Sequence, residues 1–219
     1  MKMIQIPLAV LGAVVALAAP AARAADTNTS YGNAKSAASG AAAGAKQLSE
    51  KLQEGLQKLH AANQAEIQSG QLAEQSGSSA QVKAFGKQMV TDHTKNDEHL
   101  QTMAKTAGLS LEGKAFEEQQ KKAQDDMKDV QGKTGAEFDQ AYMAAMVKDH
   151  QRDSKDVKKL SEEARKEKQP QLASFLQSTE QKMQQHLSHA KSVETVAKNE
   201  AKAAKSGAHT GTGSAPSPK

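Results

Sequence analysis

The sequence predicts an all-α protein whose folded part is a bundle of four main helices and one short helix. Its composition favours helix, because Ala, Lys, Glu, Gln and Leu are common and β-branched residues are few. Apolar residues also recur every three or four positions over four long segments. Two of these segments contain the phrase Met-Val-x-Asp-His, at 89–93 and at 146–150. Each copy places an acid and an imidazole beside or inside a buried stripe, where polar groups need partners.

The first 24 residues have the pattern of a secretory signal. Lys2 precedes an apolar run from Ile4 to Ala19, and Ala22-Arg23-Ala24 places small residues at the positions that a signal peptidase reads. We therefore predict cleavage after Ala24 and export, most simply to the periplasm. A retained membrane anchor is the less favoured alternative, because the run is short for a spanning helix and no second apolar stretch follows.

Composition divides the rest of the chain into three regions. Residues 25–44 are rich in Asn, Ser, Ala and Gly and predict a flexible leader, residues 45–198 carry the helical patterns, and residues 199–219 predict a disordered tail. Removal of the signal takes two basic residues from a chain of net charge +4, and the remaining excess lies partly in the tail. The tail lacks arginine and interleaved aromatic residues, so we expect no nucleic-acid partner.

The sequence also excludes several kinds of chemistry. It contains no cysteine, which rules out disulfides, thiolate metal sites and a cysteine nucleophile. It has no Gly-rich phosphate loop and no nucleophile elbow, so nothing indicates a hydrolase. We therefore expect a binding or structural protein rather than an enzyme.

The first predicted helix spans residues 45–76 and the second spans residues 80–106, with a Gly-Ser-Ser turn between them. Projection at about 100° per residue places Glu66 near the centre of the first apolar stripe. On the second helix, Asp92 and His93 flank the stripe on either side. Acids and imidazoles at such positions require hydrogen-bonding or charged partners inside the fold.

A charged segment from Lys114 to Gln131 separates the second helix from the third. It is helical by propensity but has only a thin apolar edge, so we predict a short surface helix in a crossover. A crossover that runs the length of the bundle is the connection that a ferritin-like topology uses. The predicted architecture is therefore a ferritin-like four-helix bundle with an extra short helix between the second and third main helices.

The third main helix is predicted over residues 136–167 and the last over residues 171–198, with a proline at the break between them. Asp149 projects near the middle of the apolar stripe of the third helix, and His150 lies at its edge. His186 shares the apolar face of the last helix. Each of these two helices therefore also directs polar side chains towards the predicted core.

Helix rise predicts that these polar residues form one layer. Counted from the turns, His150 and His186 lie at nearly the same height, and Glu66 and His93 differ by about 4 to 5 Å. The predicted metal-binding layer consists of Glu66, Asp92, His93, Asp149, His150 and His186, with Asn96 and Asp153 one turn further along. Acids and imidazoles gathered in a bundle core suit a divalent metal, namely iron, manganese or zinc.

Two other interpretations of the layer are open. A hydrogen-bonded network of the same groups would fix the helix register without any metal, because satisfied buried networks specify a unique packing. Alternatively, Met89, Met146 and Met183 each precede one of the histidines by three or four residues, and thioether with imidazole suits copper(I). Methionine at helical spacing is more often core filler, which makes copper the less favoured metal.

Five phrases lie between Ala62 and Ser192, and they are Ala65-Glu66-Ile67, Phe85-Gly86-Lys87-Gln88-Met89-Val90-Thr91-Asp92-His93-Thr94-Lys95, Phe138-Asp139-Gln140-Ala141-Tyr142-Met143, Met146-Val147-Lys148-Asp149-His150 and His186-Leu187. Together they resemble a bacterial family of exported ferritin-like domains of unknown function, usually labelled outer membrane or membrane proteins. The resemblance implies a ferritin-like core with an added short helix and leaves an outer-membrane association open. It implies no established activity.

The sequence departs from the di-iron proteins that share this fold. Those proteins use Glu-x-x-His on two helices, and no histidine of this chain has a glutamate three residues before it. A ferroxidase or di-iron oxygenase is therefore disfavoured. We expect a protein that binds a divalent metal, in metal handling or in envelope or oxidative stress. The alternative is a structural or interaction module with an envelope partner, whose polar layer only fixes helix register.

Overall fold

The computed structural model describes residues 48–208, and this part of the chain contains five helices and no strand. The helices are α1 (Glu50–Ser76), α2 (Ala80–Ala107), α3 (Lys114–Asp126), α4 (Gly135–Lys166) and α5 (Pro170–Ala208). The prediction of an all-α fold is confirmed. The predicted signal, the predicted leader and the last eleven residues of the predicted tail lie outside the described residues.

The ends of α1 and α2 follow from local side-chain chemistry. Ser49 and Ser79 precede the two helices, and their hydroxyl groups accept hydrogen bonds from the backbone N–H of Leu52 and Val82. Such caps satisfy backbone donors that have no partner within the helix. Gly108 follows the last residue of α2 and caps the helix with a positive φ of 67°, which glycine readily adopts.

Three helices differ in length from the prediction. The first helix begins at Glu50, because residues 48 and 49 precede it as non-helical chain, whereas the prediction began it at residue 45. The last helix continues to Ala208, ten residues beyond the predicted end at Lys198. Its extra turns bury Ala201, and the Lys205 ammonium lies 3.6 Å from the Glu137 carboxylate of α4. The short helix ends at Asp126, five residues before the predicted end, because the chain then forms consecutive turns.

The long helices form two hairpins, in which α1 packs along α2 and α4 packs along α5. The α1 helix also contacts α4, and α2 contacts α5, so the hairpins lie side by side. The α1 and α2 backbones approach each other closely where two glycines meet, since a Cβ atom on Gly86 would lie 2.6 Å from the Gly70 carbonyl oxygen. The short α3 helix packs on α1, where the Phe116 ring stacks on the His60 ring at 5.3 Å.

The apolar core consists of two separate clusters. One cluster contains Leu52, Leu56, Leu59, Leu100, Val157, Leu160, Leu176 and Met183, and the other contains Phe85, Met89, Phe138, Tyr142, Met146, Ala190 and Val193. On each long helix, buried polar residues lie between the positions that belong to the two clusters. The bundle therefore has a polar layer at mid-height, and this layer holds the predicted site.

Within residues 48–208, no helix is both long enough and apolar enough to cross a lipid bilayer. This result agrees with the amphipathic patterns of the helices, which each combine a buried stripe with a charged outer face.

Candidate metal centre

Three histidines from three helices meet in the polar layer. They are His93 of α2, His150 of α4 and His186 of α5, and they are 4%, 2% and 1% exposed. Their ring centroids lie 5.3 to 5.7 Å apart. One ring nitrogen of each histidine lies within 4.8 Å of one ring nitrogen of the other two. This arrangement, called the trihistidine cluster below, lies between the two apolar clusters.

Each imidazole of the trihistidine cluster donates one hydrogen bond to an oxygen outside the cluster. His93 Nδ1 lies 3.0 Å from Asn63 Oδ1, and His150 Nδ1 lies 3.0 Å from the Met146 carbonyl oxygen. His186 Nε2 lies 2.8 Å from Asp92 Oδ2. All three oxygens accept hydrogen bonds, so the ring nitrogen facing each of them carries the hydrogen.

The other nitrogen of each ring has no hydrogen-bond partner among the described residues. These nitrogens are His93 Nε2, His150 Nε2 and His186 Nδ1. In a neutral imidazole with one N–H, the second nitrogen carries a lone pair, which is a hydrogen-bond acceptor or a metal ligand. Buried polar atoms normally have partners, so three unpartnered nitrogens in one cluster require an explanation.

The trihistidine cluster favours uncharged imidazoles. Burial lowers the pKa of His93 well below its ordinary value, and the neighbouring His150 and His186 lower it further. Burial is also the main reason that the pKa of His150 falls to about 3. Burial lowers the pKa of His186 despite the opposing effect of Asp92. Near pH 7 all three rings are therefore neutral, the form in which imidazole binds metals.

The trihistidine cluster can hold a metal ion. Zinc binds imidazole nitrogen at about 2.0 to 2.1 Å, which places the ligand nitrogens of a tetrahedral site about 3.4 Å apart. The nitrogens of the cluster lie within 4.8 Å of one another, so small movements of the rings would bring them to that spacing. In metal sites a ligand histidine usually donates its second ring nitrogen to an oxygen, as all three histidines do here.

The comparison with known families identifies the domain. Residues 37–193 match the family described as Domain of unknown function (DUF4142). The chain belongs to the DUF4142 family. No curated protein and no solved structure gives a significant match. The predicted membership of a family of unknown function is confirmed, and the part that matches the DUF4142 family includes all three histidines of the cluster.

Asp92 is the predicted acid that forms a hydrogen bond with the trihistidine cluster of this DUF4142 domain. Its carboxylate accepts a hydrogen bond from the outer nitrogen of His186 and lies 3.7 Å from the Lys182 ammonium. Partial burial would raise the pKa of Asp92, but the contacts with His186 and Lys182 outweigh it and lower the pKa. Asp92 is therefore an ionised hydrogen-bond partner of His186 and is not itself a member of the trihistidine cluster.

Glu66 and Asp149 lie next to the cluster on the α1 and α4 sides. Glu66 Oε1 is 3.7 Å from His150 Nδ1, the nitrogen that bonds to the Met146 carbonyl. Burial, followed by the nearby carboxylates of Asp149 and Asp153, raises the pKa of Glu66 well above its ordinary value. Asp149 lies 2.9 Å from the Arg152 guanidinium, and burial is the main reason that its pKa rises to about 6.

Among residues 48–208, the trihistidine cluster is the one group of three or more metal-ligand side chains close enough to share an ion. The structure thus brings three of the six predicted site residues together and places the other three around them. Asp153, predicted one turn away, forms an ion pair with Arg152 at 2.8 Å.

Sequence reasoning missed the buried polar residues of the DUF4142 domain that surround the cluster. Asn63 is fully buried and Asp97 is nearly so, and Asp97 Oδ1 lies 2.6 Å from His60 Nδ1. His60 is therefore a buried member of the same network. The sequence pattern could have identified Asn63 as a member of the polar layer, because Asn63 precedes Glu66 by three residues and lies on the same helical face.

Proposed function

We propose that the protein binds one transition-metal ion through His93, His150 and His186 at the centre of the helical bundle. One observation carries the proposal, namely a cluster of three buried neutral imidazoles. One nitrogen of each ring lies within 4.8 Å of a nitrogen of the other two, and each ring has one nitrogen without a hydrogen-bond partner among the described residues. An all-imidazole donor set suits zinc, iron and copper, whereas manganese prefers oxygen ligands. The structure therefore favours zinc or iron over manganese among the metals that the sequence suggested, and it keeps copper as a candidate.

The contacts around the trihistidine cluster favour a cation-binding site over a hydrogen-bond network with a purely structural role. In a network that only fixes helix register, both nitrogens of each ring would have hydrogen-bond partners, because satisfied buried networks leave no polar atom unpaired. Here one nitrogen of each ring has no hydrogen-bond partner within residues 48–208, and ionised Asp92 lies 2.8 Å from the other nitrogen of His186. A carboxylate in that position increases the basicity of a ligand imidazole and offsets the charge of a bound cation.

The order of the helices supports a ferritin-like four-helix bundle for this DUF4142 domain. Two hairpins of long helices are separated in sequence by α3, as in the crossover topology predicted above. Bundles of that kind hold metals between facing helices. The imidazole donors here differ from the Glu-x-x-His sets of di-iron bundles, so the proposal is metal binding and not iron oxidation.

The predicted export signal suggests a role in metal handling or in envelope or oxidative stress. We expect the protein, isolated from the compartment to which its N-terminal sequence directs it, to contain close to one equivalent of a transition metal. Elemental mass spectrometry of protein purified from its native host without chelator measures this content. A metal content no higher than that of a His93→Ala variant would contradict the expected role.

The binding proposal is tested by unfolding the chelator-treated protein in urea with added Zn²⁺, Fe²⁺, Cu²⁺ or Mn²⁺. A metal that binds only the folded state stabilises it by about 2.7 kcal/mol at a hundredfold excess over its dissociation constant. We expect this gain for wild type and its loss in His93→Ala. The matched control is His189→Ala, because His189 is an exposed histidine one turn after His186 on the same helix.

Two results would contradict the proposal. One is that no metal shifts the unfolding of wild type. The other is that His93→Ala gains as much stability as wild type, which would place the ion elsewhere.

A further inference from the structure

This inference rests on the proposed function and concerns how His93 is prepared for a metal. A neutral histidine exists in two tautomers, and only the form with hydrogen on Nδ1 leaves Nε2 free as a ligand. His150 and His186 face a backbone carbonyl and a carboxylate, which only accept hydrogen bonds. His93 faces the amide of Asn63, which can present either an oxygen or an NH₂ group. The tautomer of His93 is therefore set by the orientation of the Asn63 amide.

The contacts of Asn63 fix that orientation. Asn63 is fully buried, and its Nδ2 lies 2.9 Å from Asn96 Oδ1 and 3.4 Å from Asp97 Oδ1. A reversed amide would place the Asn63 oxygen against the oxygens of Asn96 and Asp97. The observed orientation instead directs Asn63 Oδ1 to His93 Nδ1, which must then donate.

The amide of Asn96 is oriented in turn by α5. Asn96 Nδ2 donates to Thr179 Oγ1 at 2.7 Å, and the Thr179 hydroxyl donates to the Phe175 carbonyl oxygen at 3.0 Å. A hydroxyl has one hydrogen, so Thr179 can only accept from Asn96. Asn96 must therefore present its oxygen to Asn63, as it does.

We infer that Thr179, Asn96 and Asn63 form an amide relay that holds His93 with hydrogen on Nδ1 and leaves its Nε2 ready to bind the metal. The relay starts at a backbone carbonyl of α5, passes through α2 to α1 and returns to α2 at His93. Each member is a positioning residue, because it acts on the metal through His93.

Asp97 provides a second anchor for the amide relay. Its carboxylate accepts from Asn63 Nδ2, and its other contacts are His60 Nδ1 at 2.6 Å and Gln101 Nε2 at 2.7 Å. These contacts surround Asp97 with donors, so its oxygens accept from all of them. Two independent acceptors thus determine the same orientation of the Asn63 amide.

The test measures the tautomer of His93 in the metal-free full chain by long-range ¹⁵N–¹H NMR, which distinguishes a protonated from an unprotonated ring nitrogen. Wild type should show hydrogen on Nδ1 alone. Asn63→Ala should show a mixture of tautomers, and its affinity for Zn²⁺ should fall about 10- to 100-fold, the usual effect of losing an outer partner of a ligand. Gln64→Ala is the matched control, because Gln64 is adjacent on α1 but contacts His60 and Gln120.

The outcomes separate the amide relay from the metal site. Wild-type His93 with hydrogen on Nε2, or Asn63→Ala with an unchanged tautomer, would overturn the relay. Because wild type is measured without any substitution, the test stands even if Asn63→Ala does not fold. If wild type shows the expected tautomers but does not bind Zn²⁺, the metal role is overturned, whereas the orientation of His93 is established.

Discussion

The uncharged state of the buried imidazoles makes the stability of the protein depend on pH. Below pH 6.5 the unfolded chain takes up a proton at residue 150, whereas the folded protein does so only near its pKa of about 3. The unfolded state therefore binds more protons between these values, and falling pH favours unfolding. The buried acids have the opposite effect, because the raised pKa values of Glu66 and Asp149 make the folded state bind extra protons.

We predict that replacing His150 by asparagine removes part of the acid sensitivity. Relative to His150→Asn, the free energy of unfolding of wild type should fall by up to about 1.4 kcal/mol per pH unit as pH decreases from 6.5 to 4.5. Urea unfolding of the two metal-free proteins at several pH values measures this difference. Because Glu66 and Asp149 are present in both proteins, their opposing effect largely cancels. Parallel pH profiles would show that His150 titrates normally in the folded state.

The charge of Asp92 should matter more for metal affinity than for folding. Asp92 is the anionic partner of His186, and its side chain is 20% exposed. Asp92→Asn removes that charge, and its amide can rotate to present NH₂ to His186, which would favour the wrong tautomer. We predict an approximately tenfold or greater loss of Zn²⁺ affinity, measured by competition with a chromophoric chelator. Lys182→Ala is the control, and an equal loss there would contradict a specific role for Asp92.

At the scale of the helices, a single carboxylate joins α4 to the turn between α1 and α2. Asp139 is fully buried, and its oxygens accept from the backbone N–H of Ser78 and Ser79 at 2.9 and 2.7 Å. The Ser78 hydroxyl also donates to it at 2.7 Å. The contact holds the α1–α2 hairpin against the α4–α5 hairpin at the end of the bundle where α1 turns into α2.

Loss of the Asp139 carboxylate should therefore destabilise the fold. We predict that Asp139→Ala lowers the free energy of unfolding by about 3 kcal/mol, because it leaves donors at the turn without their acceptor. Asp139→Asn, which keeps one acceptor oxygen, should cost less. Glu137→Ala, an exposed substitution on the same helix, should change stability by no more than about 0.5 kcal/mol. An Asp139→Ala variant as stable as Glu137→Ala would show that the turn does not need this contact.

The helices were predictable to the extent that local signals define them. The Gly-Ser-Ser turn is local and lies where the sequence predicts it, and the second helix ends at Ala107, within one residue of its predicted end. The role of Asp139 was not predictable, because its partners lie about sixty residues away along the chain. The length of α5 was also missed, although residues 200–205 consist of Ala, Lys and Glu, which favour helix, and Ala201 is buried.

For the whole molecule, helix rise predicted the depth of the polar layer but not which side chains meet. The predicted difference of about 4 to 5 Å between Glu66 and His93 corresponds to three residues of helix. In the structure the α1 partner of His93 is Asn63, three residues before Glu66, and Glu66 instead lies near His150. The His150 and His186 rings do meet, 5.3 Å apart. The nitrogen that carries the hydrogen is determined at His93 and His186 by contacts between helices, which no local pattern encodes, whereas at His150 it is determined by the Met146 carbonyl of the same helix.

The three histidines come from both hairpins, so a shared metal ion should make the two hairpins open more cooperatively. His93 belongs to the α1–α2 hairpin, whereas His150 and His186 belong to the α4–α5 hairpin. An ion held by all three would oppose separation of the hairpins, so amides that exchange only through that opening should be protected together. At a hundredfold excess of Zn²⁺ over its dissociation constant, we predict about hundredfold slower hydrogen exchange in α2, α4 and α5. The α3 helix, which packs outside on α1, should change little. Slowing confined to α4 and α5 would show that His93 does not share the ion, and His93→Ala should show no Zn²⁺-dependent protection.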